Sequence, residues 1–550
     1  MNKYLYILLS PAIILCCSHA GAQTKDLGNE QIDVIKPYQP TLSDSYKISS
    51  LPEKDTATAA PPHFEYPISS TKVSTTVETT PLKPVKIKDE TISKLYRTLV
   101  KAGFGNNDAP YGEVFVNSLR SREYSWGTHY RHLSSSGGIR GAGNSSYSDN
   151  EINLYGKRFF DNKSTLSGGI NYTRNVLHYY GFDDLKSTAD EIDTRQNIQV
   201  PEIFLRHQSN ILDSARLRYD FRVNYYNLSD FYGKQEDGLS MNLVTGKFIN
   251  TEFFGADVSW DYAYDQLLIQ NNKNLLSLVP HVSASGDKWK VLTGINFSVQ
   301  SDKEASLYHF FPKATFSYNI AEEFLIGYLY LDGNIRKNTL RSLLGENPFL
   351  GTQSLVTIQN TNNRFEGGGG LKGTLSNNTS FDVSGKYNEV SLLPLFVPDV
   401  SSSLQNKYLV IYDDAVIWGI HAELSHQQTE KIRISARGDY HHYTLSHELK
   451  AWHKPALQIT LSGNYSIADK LVARADIYGV SSRYTRIMTP AAEAKKINGF
   501  VDVNAGLEYN YTRIMSFFLN FNNIAGLKYY TWENYPVQRF QVMGGLSYAF

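Results

Sequence analysis

The chain has 550 residues, 41% of them hydrophobic and 20% charged, and its formal net charge is +0. The hydrophobic fraction is too low for a membrane protein built from helices, and after the N-terminus no apolar run is long enough to cross a bilayer as a helix. The zero net charge indicates no nucleic-acid partner. The 38 Tyr, 27 Phe and 39 Gly are instead typical of exposed strands joined by tight turns.

The first residues are typical of a secretory signal peptide. Lys3 supplies a positive charge, an apolar run ends at Cys17, and Ala20 to Ala22 provide the small residues of a cleavage site. We therefore expect export and cleavage after Ala22. The two cysteines, Cys16 and Cys17, lie inside this segment, so the expected mature chain has no thiol for a disulfide, a metal site or nucleophilic catalysis.

Residues 23–95 differ in composition from the rest of the chain. Eight of the 19 prolines fall there, among Ser, Thr and Lys, with neither alternation nor a helical stripe. Such a segment buries too little apolar surface to fold alone. We expect a Pro-rich extended periplasmic arm or partial plug of the lumen, which also offers a contact for a periplasmic or outer-membrane protein.

From Tyr96 to the C-terminus, segments of alternating polarity follow one another. Short polar turns separate them at about ten places, near Ser121, Asp161, Leu212, Asn250, Gly286, Ala321, Ser376, Gln428, Ala468 and Thr512. Together with a first strand at Tyr96–Gly105 and a last strand, these turns predict about 22 strands, within a range of about 18 to 22. The predicted fold is all-β, a transmembrane antiparallel β-barrel over residues 96–550.

Longer and less regular connections lie between the short turns. The longest are predicted at Leu177–Ile198, Lys337–Gln359, Val390–Gln405, Arg483–Asn498 and Ile524–Pro536. Short turns at one end and long loops at the other are typical of outer-membrane barrels. The pattern therefore favours the outer membrane of a Gram-negative cell, with lipid around the strands.

The last predicted strand, Val537–Phe550, closes the barrel. Its polar face carries Arg539, Gln541 and Ser547. Its lipid face is predicted to consist of Phe540, Val542, Leu546, Tyr548 and Phe550, together with a glycine. Aromatic residues at both ends of an apolar face are typical of a strand that crosses a bilayer between two aromatic girdles.

The C-terminal sequence resembles the closing hairpin of TonB-dependent receptors. The match lies in LNFNNI at Leu519–Ile524, KYY at Lys528–Tyr530, RF at Arg539–Phe540 and the final GLSYAF. The opening stretch from Gly103 to Ser121 is similar to that of plugless TonB-dependent-receptor-like barrels from Bacteroidota. The resemblance implies solute transport across the outer membrane and recognition of the last strand by the barrel-insertion machinery. The arm is shorter than the folded plug of that family.

Charged residues recur on the strand face opposite the apolar face. They are Arg216, Arg218, Asp220, Arg222, Asp257, Asp261, Arg433, Arg437, Asp439, Arg474, Asp476, Asp502 and Glu508. We expect them to line the lumen. Two interpretations fit equally: a channel lining or docking surface for the arm, or charge pairs that brace a polar interior.

The sequence predicts no catalytic, cofactor or metal site. His441 and His442 point to opposite faces of a strand, and His447 lies far from His441 along it. The run Gly367–Gly370 lacks the Lys and Ser/Thr of a phosphate loop and falls in a strand pattern. No Ser, His and acid are spaced as a triad, so we expect no enzyme and keep an outer-membrane hydrolase only as a minor alternative.

Two hypotheses for function follow. The first is a transport protein, either a restricted pore or a receptor-type channel, whose arm and long loops narrow the lumen. The second is a barrel that transports nothing and serves as a scaffold or subunit of an outer-membrane secretion or assembly complex. Conductance in planar bilayers distinguishes the two.

Overall fold

The computed structural model describes residues 96–550 apart from 162, 183–193, 211–215, 270, 303–304, 322–323, 469 and 489–491. The chain divides after residue 95 into two units, and every described residue belongs to the second. The predicted signal peptide and the predicted arm therefore lie outside the described residues. Within the described part of the chain, no helix is both long and apolar enough to cross a membrane.

The described residues form a closed antiparallel barrel of 22 strands, as predicted. Its strands begin with β1 (Thr98–Gly105), β2 (Ala109–Asn117), β3 (Tyr124–Ser135), β4 (Tyr147–Phe160), β5 (Ser164–His178), β6 (Arg195–Ser209), β7 (Arg218–Ser229), β8 (Gln235–Ile249), β9 (Glu252–Asp265), β10 (Asn271–Ser285), β11 (Trp289–Ser301), β12 (Ser306–Ala321) and β13 (Leu325–Arg336). One loop then contains the helix α1 (Leu340–Glu346) and a 3-10 turn, Thr352–Ser354.

The remaining strands complete the ring. They are β14 (Thr361–Ser376), β15 (Thr379–Pro398), β16 (Tyr408–Thr429), β17 (Ile432–Leu445), β18 (Leu457–Ile467), β19 (Leu471–Val480), β20 (Arg483–Met488), β21 (Ala492–Ile497), β22 (Phe500–Asn510), β23 (Met515–Asn522), β24 (Tyr530–Trp532), β25 (Tyr535–Pro536) and β26 (Gln541–Ala549). The pairs β20–β21 and β24–β25 are separate hairpins in two loops. The barrel closes where β26 pairs with β1, from Leu99 opposite Ala549 to Gly105 opposite Met543.

Nine of the ten short turns predicted from the sequence join two successive strands of the ring and are confirmed, whereas the turn predicted near Leu212 lies outside the described residues. They all lie at one end of the barrel, which we call the turn end. The longer connections lie at the opposite end, which we call the loop end. Both Tyr96 and Phe550 lie at the turn end, because an even number of antiparallel strands brings the two chain ends back to the same side.

Several predicted segments differ in detail from the structure. The loop predicted at Val390–Gln405 is mostly strand: β15 runs to Pro398, and a bulge after Val390, where Leu392 has φ +58°, breaks the alternation that would have revealed it. The predicted connections Arg483–Asn498 and Ile524–Pro536 each contain a short hairpin. The last strand is shorter than predicted, since β26 begins at Gln541 and the residues before it belong to a loop.

The barrel wall has one apolar and one polar face. On β22, Val501, Leu507 and Tyr509 are exposed on the apolar face. The polar face is the inner one, because Glu202 of β6 and Glu236 of β8 both bond to the loop after β13, which starts several strands away around the ring. The apolar face is therefore the outer surface of the barrel.

The glycine run of β14 allows close packing against β13. A Cβ on Gly368 would lie 2.7 Å from the Tyr330 ring, and a Cβ on Gly370 would lie 2.8 Å from the Tyr328 hydroxyl. Both tyrosines reach across to acidic groups, Tyr328 to Asp382 at 2.8 Å. The run therefore makes room for tyrosines on the polar face, in agreement with its assignment to a strand.

Substitution by arginine should have different effects on the two faces of β22. Leu507→Arg should lower the free energy of unfolding by about 2–4 kcal/mol, because it places a charge against the hydrocarbon. Asn504→Arg, on the polar face, is the matched control and should change it little. Denaturant unfolding in lipid vesicles measures both, and equal effects of the two variants would contradict the assignment of faces.

Candidate functional site

Arginines and an aspartate predicted for the lumen meet at the turn-end half of β6 and β7. Asp220 lies 2.7 Å from Arg206 of β6 and 2.7 Å from Arg222. The guanidinium of Arg218 lies 5.3 Å from the centroid of the Phe248 ring. Arg216 precedes the first residue of β7 and is outside the strand that was predicted to hold it.

The predicted aspartates of β9 have separate partners. Asp261 accepts from the Ser240 hydroxyl at 2.6 Å and from Lys337 Nζ at 3.3 Å. Asp257 lies 4.0 Å from His281 Nδ1. Lys337 begins the loop between β13 and β14, so Asp261 joins the wall to that loop.

A third group lies on β17. Asp439 accepts from Arg437 Nε at 2.9 Å and lies 2.8 Å from His421 Nδ1. Arg433 is on the same face, opposite Gln427 in the register of β16 and β17. These side chains form a polar row that continues toward the turn end.

The fourth group lies on β19 and β22. Arg474 is 3.6 Å from Glu508, and Asp476 accepts a hydrogen bond from a serine of β18 at 2.6 Å. The Tyr529 hydroxyl donates to Asp502 at 2.6 Å. Partly exposed pairs of this kind contribute roughly 0–1 kcal/mol each. Their contribution to stability is therefore small, and the result is an inner face that carries both signs of charge.

The histidines considered for a metal site lie apart. His442 pairs with exposed Trp418 in register, whereas His441 lies opposite Gly419 on the other face. His447 Nδ1 lies 2.8 Å from Asp413, and this hydrogen bond raises the pKa of His447. Among the described residues, no three His, Cys, Asp or Glu side chains are arranged to hold a metal ion.

The loop of residues 337–360, between β13 and β14, forms what we call the loop cap. Its helix α1 begins with a reciprocal cap: Ser342 N donates to Thr339 Oγ1 at 3.1 Å, and Thr339 N donates to Ser342 Oγ at 2.9 Å. Leu340, Leu343 and Leu344 are buried on one side of the helix. Their spacing presents one apolar stripe to the rest of the loop end.

A buried carboxylate attaches α1 to the wall. Glu236 of β8 is fully buried and accepts from the backbone N–H groups of Leu340 at 2.5 Å and Arg341 at 3.1 Å. The Tyr226 hydroxyl also donates to it at 2.9 Å. Arg341 in turn lies 2.9 Å from Glu202 of β6. A buried carboxylate is tolerated only with such partners, so wall and loop cap depend on one another.

The loop cap reaches widely separated parts of the ring. The Tyr179 hydroxyl, in the β5–β6 loop, donates to Leu350 O at 2.9 Å. The ring of Phe349 stacks on Tyr535 of β25, with centroids 3.5 Å apart. Gly351 N donates to Tyr408 O, at the start of β16, at 2.8 Å. A segment that contacts β6, β16 and the β23–β26 loop must cross the mouth of the barrel.

These contacts belong to one hydrophobic cluster at the loop end, which we call the loop core. Its buried members are Tyr179, Ile198, Val200, Tyr226, Leu228, Leu267, Leu340, Leu343, Leu344, Phe349, Leu350, Leu355, Ile358, Phe396, Tyr408 and Tyr535. Several loops and strand ends contribute to it, so the loop end is packed like a protein interior. The loop cap is therefore a folded part of the structure.

A buried histidine lies beside the loop core. Burial, together with the charges of Arg483 and Lys454, lowers the pKa of His453 to about 3. Its Nε2 lies 3.1 Å from the Thr485 hydroxyl, and its ring packs on Trp532 at 4.8 Å. In the described part of the chain, its buried Nδ1 has no hydrogen-bond partner. The site is therefore built for the neutral imidazole.

The sequence did not reveal Glu236, Tyr226, Tyr535 or the loop core. The local signal that was available is the Thr339-x-x-Ser342 cap followed by leucines at helical spacing, which marks a short amphipathic helix inside a long loop. The partners of that helix lie more than a hundred residues away in sequence. Only the closed barrel brings them together.

No protein-family model and no curated protein matches the sequence. Solved structures share its fold. The FrpB iron transporter of Neisseria meningitidis, F3-3 variant, has a TM-score of 0.68 at 11% identity, over 84% of this chain and 82% of that one. The ferric-catecholate import receptor Fiu of E. coli K12, closed form, has a TM-score of 0.62 at 10% identity, over 83% and 82% of the two chains.

The pyoverdine outer membrane receptor FpvA of Pseudomonas aeruginosa PAO1, bound to pyoverdine, has a TM-score of 0.61 at 11% identity, over 83% of this chain and 79% of that one. By their names, these three neighbours are an iron transporter, an import receptor and an outer membrane receptor. At such identities the likeness concerns the fold alone. It agrees with the resemblance of the closing strands, whereas the plugless character inferred from the opening stretch stays a prediction.

Replacing the buried carboxylate should release the loop cap. Glu236→Leu leaves the two N–H groups of α1 without an acceptor, at a cost of about 1–3 kcal/mol for each. We expect proteolysis within residues 337–360 to accelerate while the barrel stays folded. Asn242→Leu, on the same face of β8 but farther from α1, is the control. Equal protease resistance of wild type and Glu236→Leu would contradict the anchoring role.

Acid should loosen the loop end through His453. Its folded-state pKa lies below the ordinary value, so the unfolded loop binds the proton, and stability is lost as the pH falls from about 6.5 toward 3. The loss is about 1.4 kcal/mol per pH unit inside that window. Hydrogen exchange of residues 446–456, corrected for intrinsic rates, should rise between pH 7 and pH 5. The same rise in His453→Gln would contradict this assignment.

Proposed function

We propose that the protein is an outer-membrane transport barrel of the receptor type, in which the loop cap closes one mouth and movement of the loop cap admits a solute. The observation that carries this proposal is the loop core, which holds residues 337–360 across the loop end. A 22-stranded ring encloses a lumen wide enough to need closing.

The orientation follows from the connections. Outer-membrane barrels have short periplasmic turns and longer extracellular loops. We therefore assign the turn end, with both chain ends, to the periplasm and the loop cap to the cell surface. A solute that arrives from outside the cell therefore meets the loop cap first.

The inner face suggests a polar solute. Both signs of charge lie along it, as at Asp220 with Arg206 and at Glu508 with Arg474. We propose that these charges line the path between the loop cap and the periplasm. The structural neighbours include an iron transporter, a ferric-catecholate import receptor and a pyoverdine receptor. Ferric chelates are accordingly the first solutes to test.

The proposed organisation of the chain is a signal peptide at 1–22, a Pro-rich arm at 23–95 and the barrel from residue 96. We propose that the arm meets a periplasmic or outer-membrane partner protein. Its composition supports this, because a segment that cannot fold alone gains order by binding.

Conductance in planar bilayers tests the closure. The wild-type protein should show low single-channel conductance. A variant with residues 341–358 replaced by a short Gly-Ser linker should conduct at least severalfold more, because the lumen behind the loop cap is open to water. Shortening the β20–β21 hairpin by residues 487–493 is the matched control and should leave conductance low.

Heat-dependent migration on gels confirms that each variant is a folded barrel. High conductance of the wild type would contradict closure by the loop cap. Equally low conductance of the linker variant would favour the scaffold hypothesis.

A further inference from the structure

A serine, a histidine and an asparagine form a hydrogen-bonded row on β3 and β4. The Ser134 hydroxyl lies 3.2 Å from His132 Nε2. On the other side of the same ring, His132 Nδ1 lies 2.8 Å from Asn150 Oδ1. This is the connectivity of a nucleophile, a general base and a residue that orients the base.

The hydrogen-bond partners of Asn150 determine which way its side-chain amide points. Its Nδ2 donates to Ser148 Oγ at 3.1 Å and approaches the Arg174 carbonyl at 3.5 Å. The amide oxygen therefore faces the imidazole, so His132 carries its proton on Nδ1. Nε2 is left as an acceptor for the Ser134 hydroxyl, the arrangement that general-base activation requires.

The row lies on the outer face of the barrel near the loop end. Alternation along β3 places Ser134 and His132 on the same face as exposed Tyr130, and alternation along β4 places Asn150 with exposed Ile152. Ser134 lies four residues beyond Tyr130, about 14 Å along the strand toward the loop end. The hydroxyl is thus at the border between the apolar belt and the polar rim, where the ester groups of membrane lipids lie.

Open space adjoins the histidine. Gly112 of β2 is the residue opposite His132, and a Cβ placed on it would meet no atom within 4 Å. Arg174 of β5 is directly opposite Asn150 of β4 in the strand register. The neighbourhood therefore combines room for a substrate on one side of the imidazole with a cation on the other.

We propose that Ser134 and His132 are catalytic residues of a lipid acyl-ester hydrolase on the outer surface of the barrel, with Asn150 as the positioning residue. This activity is separate from passage of a solute through the lumen. The substrate is a carboxylic ester of a lipid in the leaflet at the loop end. Arg174 is placed to hold an anionic phosphate of the same lipid.

The chemistry balances with water as the second substrate. His132 Nε2 takes the Ser134 proton while Oγ attacks the ester carbonyl, and the tetrahedral adduct expels the lipid alkoxide, which receives that proton from Nε2. The acyl-serine is then attacked by water, which loses a proton to Nε2. The second tetrahedral adduct expels Ser134 Oγ, which takes that proton from Nε2 to restore the hydroxyl, and a free fatty acid is released.

The sequence did not show this site because the residue that orients the base is an amide and lies on the next strand. Ser134 and His132 share a face only if β3 is a strand, and Asn150 joins them only in the observed register of β3 with β4. The neutral asparagine suits a position beside lipid, where a carboxylate is costly to desolvate.

The test uses the full mature protein in mixed micelles of detergent and phosphatidylethanolamine. Wild type should release fatty acid, Ser134→Ala should release none, and His132→Ala should be at least about a hundredfold slower. Thr128→Ala, on the same face of β3, is the control and should match wild type. A fluorophosphonate should add its mass to wild type and to Thr128→Ala but not to Ser134→Ala.

Two variants test the orienting role. Asn150→Asp keeps an acceptor for His132 Nδ1–H and should retain activity, whereas Asn150→Leu should lose it while remaining a folded barrel. The proposal is overturned if folded wild type neither releases fatty acid nor reacts with the fluorophosphonate. It is also overturned if release or labelling persists in Ser134→Ala, or if Asn150→Leu is as active as wild type.

Discussion

The structure depends on one requirement of lipid: every backbone N–H and C=O that crosses the hydrocarbon needs a partner inside the protein. The chain meets it by pairing each strand with the next and β26 with β1, so the sheet has no open edge. In a closed sheet, the number of strands sets the diameter of the barrel. A ring of 22 strands leaves a lumen that its own wall side chains do not fill.

At the loop end, a folded loop covers the wide mouth of the ring. Residues 337–360 leave β13, cross the mouth and pack into a core with loops from distant strands. Glu236 makes this packing specific, because a buried carboxylate without the N–H groups of Leu340 and Arg341 would be strongly unfavourable. Wall and loop cap therefore stabilise each other, and a solute or partner that disturbs one contact weakens the whole closure.

Local patterns predicted the ring well and the loop end poorly. Strand alternation and turn chemistry act within a few residues, so the short turns and the strand count could be derived from sequence. The errors fall where a local feature interrupts alternation, as at the bulge around Leu392, or where a segment is held by distant partners, as where Gln538 donates to Ser135 and Gly137. The loop core could not be predicted, since Glu236 and Leu340 meet only after the strands between them have paired.

Closure of the barrel requires that residues 337–360 are held across the mouth in one conformation. Double electron–electron resonance measures this directly, with nitroxides on Gly345→Cys in α1 and Leu449→Cys in the β17–β18 loop. A Cβ at Gly345 meets no atom within 4 Å, and Leu449 is 61% exposed, so both labels fit without repacking. A single narrow distance distribution in lipid nanodiscs is the predicted result. A broad distribution in the folded barrel would contradict the closure.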